Sequence, residues 1–376
     1  MKEFGTDMSA LLGSGRRFAL ARVVEVIGSA PLPVGATMVV GPDGQVLGGV
    51  SGGCVEAAVV VAAHESIADG RTRVGTFGVA DDDAFAAGLT CGGTIQVLVE
   101  SIDAQSRPWF EEFLSAVTAG ISCALWSDLP MAGNADQVGE WLVGRGVGTA
   151  AGFVGSNVPG GPIHETPQAP IAGDIRELLR LGRSQIRRYC GFDGGDGTTT
   201  AAAFVQTFSK PPRLVIVGAV DLARALSRLG TNLGYETVVC DARPLFATRQ
   251  RFPDAGRVVC QWPEKFIAAE DLDARSVICV LTHDHKFDVP ALMAALETPT
   301  GYIGALGSRA THLDRTARLS AGGAKETDLQ RIHSPLGLDI GGRTAEQTAV
   351  SIMAEVIACA HGRSGASLST IGAPIH

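Results

Sequence analysis

From residue 213 onward the chain alternates short apolar strands with helices, and this rhythm limits the fold more than any other feature. Leu214 to Val217, Thr237 to Cys240, Val258 to Cys260, Val277 to Leu281 and Tyr302 to Gly304 read as strands. Helices are expected over Leu222 to Leu229 and near 288–297, 309–320 and 344–361. Strands that are apolar at successive positions must be covered on both faces, and helical crossovers supply that cover. The expectation is an α/β chain whose residues 210–363 form a Rossmann-like doubly wound parallel sheet. Thr344-Ala345-Glu346-Gln347 opens the last helix with a capping-box pattern, and 364–376 reads as a flexible tail.

Pro211-Pro212 separates this region from residues 1–209, which read as an α+β domain of two degenerate strand-rich repeats, about 16–101 and 121–208. In the first repeat, Phe18 to Ile27, Ala36 to Val40, Gln45 to Val50, Thr72 to Phe77 and Thr94 to Glu100 are expected strands. A helix from Cys54 to Ala68 is apolar on nearly every face up to Ala63, which predicts burial. The second repeat echoes Gly70-Arg71-Thr72-Arg73-Val74 with Gly182-Arg183-Ser184-Gln185-Ile186 after a helix over Ile171 to Leu181.

Several function classes are set aside by composition. Net charge is −8 and no basic cluster exceeds Arg187-Arg188, so nucleic acid is not an expected partner. No apolar run reaches the ~18 residues of a membrane span, and the first residues lack the pattern of a secretory leader, so a cytoplasmic location is expected. The eight cysteines are scattered without a C-x-x-C pair, which argues against a disulfide framework or a zinc ribbon.

Glycine numbers 48, about twice the usual ~7%, and it gathers where backbone must turn or meet a ligand. Two glycine-rich knots each hold one cysteine: Ser51-Gly52-Gly53-Cys54-Val55-Glu56 and Leu89-Thr90-Cys91-Gly92-Gly93. Cys54 opens the expected helix, where the positive end of the macrodipole favours thiolate. Buried packing thiols are the other reading of the same residues.

In the second region, Gly218-Ala219-Val220-Asp221-Leu222-Ala223 stands where a dinucleotide fingerprint belongs, with Asp241 about 20 residues on. Val220 replaces the glycine that lets backbone approach a pyrophosphate, so NAD(P) is not an expected cofactor. An NAD(P)-dependent oxidoreductase remains an alternative reading. A metal-dependent hydrolase at His283, His285 and Asp288 is another, because these residues follow a strand end. Gly307-Ser308-Arg309 leaves a strand and enters a helix, which suits either a phosphate or a plain helix cap. Ser334 to Gly342 is a similar loop before the last helix.

Taken in order, these motifs resemble the XdhC/CoxI family of xanthine dehydrogenase accessory factors. The matching segments are Gly28-Ser29-Ala30-Pro31, Gly48 to Glu56, Cys91-Gly92-Gly93, Thr282-His283-Asp284 with Asp288, Tyr302-Ile303-Gly304 with Gly307-Ser308-Arg309, Pro335 to Asp339, and Ala354-Glu355. The resemblance implies a cofactor-binding chaperone, not an enzyme in its own right. It would bind molybdenum cofactor (molybdopterin), present it to a sulfurase and deliver it to a molybdenum hydroxylase client. A homodimer is the expected assembly. On this reading Cys54 and Cys91 meet the molybdenum, since soft thiolates suit such a centre. Gly52, Gly53, Gly92 and Gly93 admit the flat pterin, with Glu56 beside them. From the other domain, Gly307, Ser308 and Arg309 would take the phosphate. His283, Asp284, Gly337 and Asp339 complete the candidate cofactor-binding set.

Overall fold

The computed structural model describes residues 1–78, 93–129, 144–149, 152–157, 169–190 and 200–372. The chain divides into two compact units, one spanning Met1–Lys210 and the other Pro211–Ile371.

The first unit holds two five-stranded sheets. One is built from β1 (Phe18–Ile27), β2 (Thr37–Val40), β3 (Val46–Gly48), β4 (Arg73–Phe77) and β5 (Thr94–Ile102), in the order β3-β2-β1-β5-β4. The other uses β6 (Cys123–Asp128), β7 (Gly144–Thr149), β8 (Gly152–Asn157), β9 (Gln185–Cys190) and β10 (Thr200–Phe208), in the order β8-β7-β6-β10-β9. Pairing is antiparallel throughout both sheets.

Period-2 alternation sends the side chains of β1 to opposite faces. Ala19, Ala21 and Val23 pack with Val97, Val99 and helix α2 (Glu56–Asp69). Phe18 and Leu20 pack with Met8 and Leu12 of α1 (Gly5–Gly13) and with Phe110, Phe113 and Leu114 of α3 (Phe110–Thr118). Helix α4 (Ala169–Leu181) lays Ile175, Leu178 and Leu179 on Ala124, Trp126 and Val205 of the second sheet. Helix α2 is less covered than its composition predicts: Val59, Ala63 and Ser66 are buried, while Val61 is 60% exposed.

Between the two sheets lies a buried polar cluster. Arg22 of β1 donates to Glu100 of β5, to Ser127 Oγ of β6 (2.5 Å) and to Gln206 Oε1 of β10 (3.5 Å). Ser127 Oγ donates to Glu100 Oε2 at 2.8 Å, and Arg107 approaches the other carboxylate oxygen at 3.4 Å. An arginine taken out of water is tolerated only with such partners.

The second unit is a six-stranded parallel sheet of β11 (Arg213–Val217), β12 (Glu236–Asp241), β13 (Arg257–Cys260), β14 (Val277–Val280), β15 (Tyr302–Ala305) and β16 (Ile332–His333). Its order is β13-β12-β11-β14-β15-β16, the doubly wound arrangement expected from the alternating pattern. The connecting helices are α5 (Asp221–Asn232), α6 (Pro263–Ala269), α7 (His285–Leu296), α8 (Arg309–Ala321), α9 (Glu326–Leu329) and α10 (Ala345–Ala360). Val215, Val217, Val238 and Val280 face α6 and α7. Leu214, Ile216, Val239 and Cys279 face α5 and α10. Strand order reverses between β11 and β14, and in such sheets ligands bind beyond the carboxyl ends at that switch point.

Candidate functional site

In the first unit, three segments distant in sequence meet. The loop after β1, Gly28-Ser29-Ala30-Pro31, lies against Gly93 just before β5. A Cβ on Gly93 would come within 2.1 Å of the Ser29 carbonyl oxygen, so only glycine allows this approach. On its other side the loop reaches the first knot, where a Cβ on Gly52 would stand 3.9 Å from Pro31 Cβ. Gly52 and Gly53 have φ of 75° and 118°, in the left-handed region that glycine tolerates. Among the described residues a Cβ on Gly53 would meet nothing within 4 Å, and the half-buried Cys54 follows it. Bare backbone at Gly52 and Gly53 beside a thiol is a donor set chemically compatible with a metal-bearing pterin. Cys91 and Gly92 lie outside the described residues.

The helix N-terminus here belongs to Glu56, not to Cys54. Val55 is the N-cap and Glu56 the first helical residue. The Glu56 carboxylate folds back over the loop and accepts hydrogen bonds from the backbone N–H groups of Val50 (3.2 Å), Ser51 (2.8 Å), Gly53 (2.8 Å) and Val55 (3.2 Å), and from Ser51 Oγ (2.5 Å). Burial opposes its ionisation, but the Ser51 hydroxyl and the N–H donors outweigh that and hold the carboxyl at about 2. The anion-attracting end of α2 is thus occupied by the chain's own carboxylate. The expectation that Cys54 opens the helix is corrected: it lies two residues before the first helical residue.

In the second unit the turn after β11 lies close against the segment after β14. A Cβ on Gly218, whose φ is 105°, would meet Thr282 Cγ2 at 2.6 Å. Val220 is the N-cap of α5 and gives no side-chain cap. Asp241, the acidic residue of the dinucleotide pattern, is 3% exposed. Its carboxylate accepts from Ala219 N–H at 2.8 Å and from the Arg243 guanidinium at 2.8 and 2.9 Å. Burial pushes this carboxyl up, yet the Arg243 and Ala219 donors bring it below the usual range. The hollow at the start of α5, lined by Val220, Asp221, Arg224, Arg251 and Phe252, measures about 60 Å³. Ligand pockets are typically ~300 Å³ or more, so a dinucleotide has little room here. A hollow of about 620 Å³ runs along edge strand β13 past Val258, Val259 and Phe266, and none of the sequence-predicted site residues lines it.

Beyond β14, Asp284 caps α7 by accepting from Lys286 N–H at 3.0 Å, and His283 is exposed next to it. His285 Nε2 lies 3.2 Å from Asp314. Asp288 is fully buried, and its oxygens accept from Thr282 Oγ1 and from Arg315 at 3.0 Å. Asp288 is therefore committed to its own chain. Among the described residues no three His, Cys, Asp or Glu side chains are grouped to hold a metal. The hydrolase alternative thus gains no support.

After β15, Gly307 has φ of 153°, and Ser308 is the N-cap of α8, its Oγ accepting from Thr311 N–H at 3.1 Å. Arg309 is exposed beside it, in no ion pair among the described residues. The loop of Gly337 and the exposed Asp339 is fastened to α10. Glu355 Oε2 accepts from Gly337 N–H at 2.7 Å and from the Tyr302 hydroxyl, and Leu338 N–H donates to Ser351 O at 3.2 Å. Sequence reasoning missed Arg315, which joins these loops. The one signal is its place at four-residue spacing between Thr311 and the buried Leu319, on the core side of α8.

Comparison with known proteins gives consistent matches. A family model described as the XdhC and CoxI family matches residues 11–78, and one described as the XdhC Rossmann domain matches residues 214–356. A Bacillus subtilis protein described as a probable subunit of xanthine dehydrogenase is 28% identical over 366 residues, 95% of this chain and 97% of that one. The molybdenum cofactor insertion chaperone PaoD of Escherichia coli is 27% identical over 348 residues, 92% of this chain and 84% of that one. A crystal structure described as a xanthine dehydrogenase from Bacillus halodurans superposes with a TM-score of 0.61 at 24% identity, covering 98% of each chain, which shows a shared fold.

Proposed function

The chain belongs to the XdhC and CoxI family, and from that membership we propose that it acts in maturation of a molybdenum hydroxylase, as a carrier that binds molybdenum cofactor and delivers it to the client. The observation that carries this reading is the meeting of Gly28–Pro31, Gly52–Cys54 and Gly93 in the first unit. Bound there, the cofactor supplies a thiophilic metal centre on a flat ring system. Cys54 offers the soft ligand, and Cys91 is proposed as the second. Gly52, Gly53 and Gly93 keep the backbone bare, and Glu56 holds the knot in shape through its five donors. In the second unit, taken by itself, Arg309 with the turn at Gly307 and Ser308 is proposed as a phosphate site, since a guanidinium at a helix start attracts such an anion. His283, Asp284, Gly337 and Asp339 sit on the neighbouring strand-end loops. A sulfurase and a xanthine dehydrogenase-type client are the proposed partners.

The test is cofactor retention. Cys54→Ala and Cys91→Ala proteins, purified without oxygen from cells making the cofactor, should hold several-fold less molybdenum than the parent at equal yield. Equal molybdenum in all three would remove the thiols from the site.

A further inference from the structure

We infer that Arg315 is a positioning residue for the candidate site of the second unit, fixing the spacing of the loops that follow β14, β15 and β16. The inference rests on the reading that these loops receive cofactor. Arg315 and Asp288 are both 0% exposed. One guanidinium nitrogen of Arg315 donates to Asp288 Oδ2 at 3.0 Å and to the Leu306 carbonyl at 2.9 Å. The other terminal nitrogen donates to Ser334 Oγ at 3.4 Å and lies 3.6 Å from where a Gly307 Cβ would be. Asp288 in turn accepts from Thr282 Oγ1, which anchors the segment leading to His283 and Asp284.

One side chain therefore ties Thr282, Leu306 and Ser334, each immediately before a group of candidate residues. The direct acceptors of Arg315 are Asp288, the Leu306 carbonyl and Ser334, with Thr282 reached through Asp288, and a planar fork holds all three in a fixed geometry that a lysine ammonium, being a point charge, does not. Exclusion of water keeps these bonds from exchanging with solvent. None of the three loops needs Arg315 for its own secondary structure. Asp284 caps α7, Ser308 caps α8 and Thr344 caps α10 independently. What Arg315 adds is the distance from one loop to the next.

The test separates position from stability. Replacing a buried ion pair by apolar residues is often neutral for stability, so the double variant Arg315→Met with Asp288→Leu is compared with the parent and with Arg315→Lys. Thermal unfolding, amide hydrogen exchange and anaerobic titration with molybdenum cofactor are read on the full chain. The expected result is an unfolding midpoint near the parent's, amides at 306–309 and 334–338 exchanging about tenfold faster, and cofactor bound about tenfold more weakly. Arg315→Lys should fall between, and it carries the test alone if the double variant does not fold. Unchanged loop exchange overturns the inference, as do loosened loops with unchanged cofactor affinity. A parent that binds no cofactor at all overturns the functional reading and this inference with it. That failure is recognised apart from the others because it precedes any substitution.

Discussion

At the scale of single residues, the site depends on where charge and bare backbone fall. Glu56 is ionised at lower pH in the folded chain, about 2, than its ordinary 4.5. A depressed folded value stabilises the fold above the ordinary value, and this contribution is lost as pH falls through 2. Glu56→Gln should therefore unfold at a lower temperature than the parent near neutral pH, with the gap closing between pH 4.5 and 2. Thermal melts across that range check it, and a gap independent of pH would contradict the nest. The glycines of this site were legible in the sequence, because paired glycine signals backbone approach. The partners of Glu56 were less so, since a carboxylate that folds back to Val50, Ser51, Gly53 and Val55 leaves no spacing signature. Arg22 and Arg315 were illegible for a related reason: their partners stand on other strands and loops far along the chain, and nothing local marks an arginine as buried.

At the scale of elements, local rules were sufficient wherever periodicity was strong. β1 runs over Phe18–Ile27 as expected, and the parallel strands agree with their apolar runs to within a residue or so at each end. The last helix has the capping box that Thr344 and Gln347 announce, with Gln347 N–H donating to Thr344 Oγ1 at 3.2 Å. Thr344→Ala should cost about 1 kcal/mol, read as a lowered unfolding midpoint, while leaving cofactor binding unchanged. Several elements escaped, among them the short α6, α9 and β16. Helices α1 and α3 cover one face of the first sheet, and their short apolar stripes carry no distinctive start signal. The glycine-rich stretch at Gly144–Thr149 forms β7, because pairing with β6 on one side and β8 on the other overrides its weak strand propensity. Helix α2 shows the converse case. An all-round apolar sequence predicted burial, yet alanine and valine are small enough to leave one face open to solvent.

At the scale of the molecule, each unit has its own means of fixing long-range geometry. The first joins its two sheets through Arg22, Glu100, Ser127 and Gln206. Removing one member of a buried charged cluster strands the others, so Arg22→Met should destabilise the first unit by about 3–5 kcal/mol. Unfolding followed by the tryptophans, Trp109 and Trp126 among them, checks this, and a loss under 1 kcal/mol would contradict it. The second unit fixes its carboxyl edge through Arg315 and Glu355, while the acidic residue of the dinucleotide pattern is spent on its own backbone and on Arg243. A Rossmann-type sheet is retained, and Asp241 accepts from Ala219 N–H and Arg243. The family supplies the expectation of a molybdenum cargo, and the first unit holds the place proposed for it. The most direct measurement is anaerobic size-exclusion chromatography of the purified chain after incubation with molybdenum cofactor, with metal analysis of the protein peak and of an apo-hydroxylase mixed with it afterwards. The account predicts molybdenum in the protein peak and its transfer to the hydroxylase with gain of activity. A protein peak free of molybdenum, with NADH binding tightly in its place, would contradict it.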